Sequence, residues 1–201
     1  MKKRSSVAGV LLVVLIVIVA LALVGGGCAI SGYNKAIRFD ESVNTAWAQV
    51  ETQLQRRYDL IPNVVATVEG YTDHEAELFK HIADARKAYF QASQSGTRTE
   101  KLAAANTLGG FMSRLLVLQE RYPELKAQQE FHTLIVELEG TENRIGVART
   151  RYNDAVKKVN TYQRSFFGRM FCGWAGVEAA EYFEAPKEAQ AVPKVDFSPG
   201  E

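Results

Sequence analysis

At 201 residues the chain has room for one folded domain with accessories, and 24 Lys+Arg against 23 Asp+Glu give it a formal net charge of +1. Lys2, Lys3 and Arg4 hold three of those positives, so the rest carries 21 against 23, which excludes a general pull toward nucleic acid. Two cysteines, Cys28 and Cys172, make no disulfide framework, and the five prolines, none before Pro62, favour helices over turn-rich β structure.

Residues 7–24 form an uncharged run in which Gly9 is the only residue that is not aliphatic. At ~1.5 Å per residue the run is about 27 Å long, close to the ~30 Å hydrocarbon core of a bilayer. A retained transmembrane anchor over residues 1–30 is the first reading, because the run exceeds the h-region of a signal peptide. A lipoprotein signal ending at Cys28 and a cleaved secretory signal are the alternatives. The basic tip is expected on the cytoplasmic side, which places the following domain on the periplasmic or extracellular side of a bacterial inner membrane. Lys35 and Arg38 beyond the span weaken that bias.

A helical pattern begins near Asn34 and runs to about Glu69. Trp47, Leu54, Ile61 and Val68 recur every seven residues, and Val43, Val50, Arg57 and Val64 form a second series. Together they make a coiled-coil-like seam, interrupted by one charge at Arg57. Pro62 is expected to bend the helix without ending it, since the heptad phase continues past it. Gly70 is placed as its C-cap.

Thr72 with Glu75 has the spacing of a capping box for a second helix, with Leu78, Ile82, Ala85 and Tyr89 on its apolar face. Thr97 with Glu100 repeats that spacing and opens a third, faced by Leu108, Phe111, Leu115, Leu118 and Tyr122. Gly109 and Gly110 mark either a close helix contact or a local bend there. Pro123 suits the first turn of a fourth helix of about forty residues. Its seam reads Phe131, Leu134, Leu138, Thr141, Ile145, Ala148, Tyr152, Ala155, Val159 and Tyr162. The expected fold is all-α: a transmembrane helix, then an antiparallel up-down four-helix bundle over residues 31–183 with two long and two shorter helices. Residues 184–201 are expected to be a flexible tail.

Three strings carry a resemblance: ESVNTAWAQVETQLQRRYDLIPNVVATVEGY, YPELKAQQEFHTLIVELEGTENRIGVARTRYNDAV and the closing YFEA…PKVDF. The sequence resembles the LemA family of bacterial membrane proteins over nearly all of residues 33–197. The resemblance implies a short N-terminus, one transmembrane segment and a helical bundle, and it implies no catalytic residues. The chain departs from the family pattern at Ser165, Phe166, Phe167 and Gly168, and at Gly25, Gly26, Gly27 and Cys28.

No nucleophile elbow, P-loop or dinucleotide fingerprint occurs. Glu77, His81 and Asp84 share a helix face, but no Glu-x-x-His exists to build a di-iron site, so a solvated charged face is the expectation. No catalytic, metal or cofactor site is expected, and the chain is read as a non-enzyme. Across the two long helices, Arg57 is expected to meet Glu142 or Glu139, with Arg144 nearby, as a register device or a recognition patch. Arg164, Phe166, Phe167, Arg169, Phe171 and Trp174 form an aromatic-basic stretch suited to a membrane interface. The expected role is a scaffold or adaptor that binds the bilayer through residues 7–24 and then other membrane or envelope proteins, or a second copy of itself. A lipid-binding or membrane-remodelling module built on residues 164–174 is the alternative.

Overall fold

The computed structural model describes residues 2–69 and 76–183. Among the described residues every regular element is helical. The elements are α1 (Lys2–Glu69), α2 (Ala76–Ser95), α3 (Arg98–Arg121), the single turn α4 (Pro123–Lys126), α5 (Gln129–Arg164) and α6 (Phe166–Ala175). The expected caps at Gly70 and at Thr72 with Glu75, and the expected tail over 184–201, lie outside the described residues.

One expectation about α1 is corrected, and the continuation of the helix past Pro62 is as expected. The helix does not begin near Asn34; it starts at Lys2 and passes through Gly25, Gly26 and Gly27 without a break. Glycine costs about 1 kcal/mol against alanine in a helix, and the helix continues through all three. Pro62 lies inside it. The fully buried Ile61, Val64 and Val68 surround that proline, and each contributes about 1.5–3 kcal/mol of burial, enough to offset the lost backbone bond.

The chain divides into two compact units, Met1–Ala46 with Tyr152–Glu181, and Trp47–Arg151 with Tyr182–Glu201. In the second unit all of Trp47, Val50, Leu54, Arg57, Ile61, Val64 and Val68 are buried, as the seven-residue period requires. α2 packs on α3. Ile82, Ala85 and Tyr89 supply the core face of α2. Thr97 caps α3 with the full reciprocal box: its backbone N–H donates to Glu100 at 2.7 Å and its hydroxyl accepts from the Glu100 N–H at 3.3 Å. Along α3 the buried face is Ala105, Leu108, Met112, Leu115 and Leu118. Phe111, expected in that face, is half-buried and stacks on His81 instead. In α5, Ile135 is buried where Leu134 was expected, while Phe131, Leu138, Thr141, Ile145 and Ala148 keep their places. The fourth long helix is also shorter than expected, because Pro123 opens only α4 and Ala127 and Gln128 separate it from α5.

In the first unit α5 packs on α1 through aromatic and hydrogen-bonded contacts. The Tyr162 ring meets Phe39 edge-on at 5.4 Å, and its hydroxyl donates to the Gly32 carbonyl at 2.9 Å. Ser165 ends α5 and caps α6, its hydroxyl accepting from the Gly168 N–H. A β-carbon on Gly168 would collide with the Tyr162 carbonyl, so only glycine permits this turn. Gly176 closes α6 in the left-handed region at φ 67°. The chain then runs back along α5. Asn160 exchanges two hydrogen bonds with the Ala180 backbone, at 2.9 and 3.0 Å, and the Tyr152 hydroxyl donates to the Glu181 carbonyl.

Candidate functional site

Arg57 sits in the core seam of α1 and is 3% exposed. A guanidinium there needs partners, since leaving a buried charge unpaired costs several kcal/mol. α5 and α3 supply them. One nitrogen forms an ion pair with Glu142, and another donates to the Ala105 carbonyl at 3.4 Å. Gly109 stands beside the same group, and a β-carbon at that position would press on it. Gly109 thus marks a close helix contact, one of the two outcomes expected there. Of the expected partners, Glu142 meets Arg57, Glu139 lies exposed outside the pair, and Arg144 lines a separate surface groove.

Arg149, which the sequence reading did not single out, completes the cluster. It donates to the Asn106 side chain at 3.0 Å and lies over the Phe183 ring at 4.1 Å. Arg57 is thus buried, Arg149 is half-buried, and the Glu142 side chain that pairs with Arg57 is 58% exposed. Burial first, and then the Arg149 charge, pull Arg57 down to about 10. Burial lowers Arg149 as well. Both stay protonated at neutral pH. Tyr89, pushed up to about 12 mainly by burial and then by the Glu51 carboxylate, stays neutral. Arg57 and Arg149 thus carry fixed charge near pH 7. One signal for Arg149 was in the sequence: it stands seven residues after Glu142, on the same face of one helix.

Grooves open on the described surface of this unit. One, of about 650 Å3, is bordered by Glu51, Gln55, Arg56, Asp59, Tyr89 and Lys101, with Lys101 paired to Glu51 at 2.6 Å. Another, of about 480 Å3, is bordered by Gln49, Gln53, Asn143, Arg144 and Arg151. Their walls are mixed in charge. Glu77 and His81 stand 3.6 Å apart on an exposed face, and among the described residues no three His, Cys, Asp or Glu side chains converge as metal ligands. Burial pushes the Cys172 thiol up, away from the thiolate a nucleophile would need.

The aromatic-basic stretch forms the end of α5 and most of α6. Phe166, Phe167 and Trp174 are 87%, 64% and 61% exposed, and Arg164 and Arg169 are exposed beside them. Phe171, expected on the same surface, is instead buried: it turns the other way, against Gly32 of α1. At the head of α1 the aliphatic side chains of residues 11–24 are exposed, and this is a helix long and apolar enough to cross a membrane.

Magnetosome proteins MamQ 1 and MamQ 2 of Paramagnetospirillum magneticum are each 24% identical to this chain over 175 residues, covering 76% of it and 64% of the relative. Magnetosome protein MamQ of Magnetospirillum gryphiswaldense is 23% identical over 174 residues, covering 75% and 64%. The chain spans about 64% of the length of these relatives. The LemA family pattern matches residues 46–197, from the buried seam of α1 to beyond α6, and the chain belongs to the LemA family.

Proposed function

We propose that this chain is a single-span membrane protein that displays an antiparallel four-helix bundle outside the cytoplasm, where it acts as a non-enzymatic scaffold. Its partners are other membrane or envelope proteins, or a second copy of the chain. The observation that carries this reading is α1 itself. One helix supplies an exposed aliphatic span and, further along, a buried seam that organises the following helices. The relatives' printed name associates them with a magnetosome, a setting in which a membrane-tethered scaffold would have partners.

The test is recovery of the full-length protein from crosslinked native membranes. Enrichment of specific membrane or envelope proteins, or of a dimer of the chain, is the expected outcome. Recovery of neither above background removes the scaffold reading.

A further inference from the structure

We infer that α6 is a membrane-interface helix, held to α1 beside Gly32 by its Phe171 and Cys172 face and seated among lipid headgroups by its Phe166, Phe167, Met170 and Trp174 face. The inference rests on the reading of α1 as a membrane span and commits α6 to one partner, the lipid surface where that span emerges.

The two faces of α6 are distinct. Residues 166, 167, 170 and 174 fall within about 100° of one another around a helix of 3.6 residues per turn. Their side chains are 87%, 64%, 40% and 61% exposed. Gly168, Phe171 and Cys172 lie on the opposite side and are buried. A soluble protein that exposed three aromatic rings and a methionine in ten residues would carry an unusual burden, so the face has a partner.

Its position identifies that partner. Phe171 lies against Gly32, and the Gly32 carbonyl accepts the Tyr162 hydroxyl bond, so α6 is fixed at one level of α1. Between Arg4 and Lys35 α1 carries no charge over thirty residues. That stretch is about 45 Å long, the thickness of a bilayer with its headgroup layers. Gly32, three residues before Lys35, therefore falls in the headgroup layer. The exposed apolar surface of α1 reaches to the same level: Leu23, Val24 and Ile30 are 72%, 66% and 65% exposed. The α6 face begins where that surface ends. Aromatic side chains favour this zone because their rings are apolar and their edges tolerate water.

Charge agrees with the placement. Residues 29–39 and 160–177 contain Lys35, Arg38, Arg164 and Arg169, all exposed, and no Asp or Glu. A cationic collar around an apolar face matches anionic headgroups at the rim of a membrane.

The chain has two tryptophans, Trp47 and Trp174, and Trp47 is buried. The full-length protein and its Trp174→Phe variant are reconstituted into vesicles of phosphatidylcholine and phosphatidylglycerol. Emission is then recorded with lipids brominated near the headgroup end of the acyl chain, and separately with iodide on both faces. The difference between the two proteins reports Trp174 alone. The inference expects Trp174 to lose most of its emission to the brominated lipid while the variant loses little. Quenching of Trp174 by iodide and not by lipid overturns it, because the face then lies in water. Shielding from both overturns it in favour of a protein cover, such as a second copy. Resistance to alkaline carbonate extraction is measured on the same vesicles. A retained protein with unquenched Trp174 overturns only the α6 assignment, whereas an extracted protein overturns the span and α6 together.

Discussion

α1 changes its side-chain grammar along its length. Over residues 11–24 aliphatic side chains occupy every position, and the large ones are 48–72% exposed. Over residues 43–68 apolar side chains recur every three or four residues and are buried, while polar ones fill the spaces between. The backbone conformation is the same in both stretches. What differs is the surroundings each pattern suits: an apolar medium on all sides for the first, water on one side and protein on the other for the second. The second stretch also admits a guanidinium, Arg57, with its partners built in, whereas the described part of the first admits no charge at all.

The largest effect expected from breaking this contrast is in the core. Ile61→Ala removes a fully buried side chain and should lower unfolding stability by about 2–5 kcal/mol. Ile16→Ala, at a side chain 58% exposed, should leave denaturant unfolding of the protein in detergent unchanged. Equal losses at the two positions would mean that the span is packed on protein after all.

Arg57 comes next. Its burial, not its pairing, is the dominant influence on it, and Glu142 is too exposed to repay that in full. Arg57→Leu should therefore fold, with stability unchanged or raised by about 1–4 kcal/mol, read by thermal or chemical denaturation. If that variant unfolds while Glu142→Gln does not, the pair is not a register device.

The cap of α3 gives the smallest effects. Thr97→Ala removes the hydroxyl that accepts from the Glu100 N–H, at a cost of about 0.5–2 kcal/mol. Bonds from the Thr97 backbone and hydroxyl hold the Glu100 carboxyl below its ordinary value of 4.5. A depressed carboxylate contributes stability that is present above pH 4.5 and is lost as pH falls through the lower folded value. The difference between wild type and Glu100→Gln should accordingly shrink toward zero in acid. A difference that persists there would mean the box is not held by charge.

Periodicity carried much of this structure, and its failures are local. The seam of α1 was readable residue by residue because heptad spacing leaves one choice of face. Phe111 and Met112, and Leu134 and Ile135, are adjacent apolar residues near helix positions where a shift of one changes little in the pattern, and there the wrong member was favoured. The break at Ala127 and Gln128 carries no Gly or Pro, so nothing local announced it. Phe171 was grouped with its exposed neighbours because composition alone cannot divide a ten-residue helix into two faces. The Arg57 and Glu142 pair was legible from facing seams, whereas Asn106, Ala105 and Arg149 come together only through packing.

The proposed function requires a span through the inner membrane with the helical region outside the cytoplasm. Protease accessibility of residues 76–183 in intact cells, in spheroplasts with an opened envelope, and in lysed cells tests it most directly. The account expects cleavage as soon as the outer face of the inner membrane is reached, with a cytoplasmic control protein still intact. Protection of the helical region until the inner membrane itself is broken would contradict it.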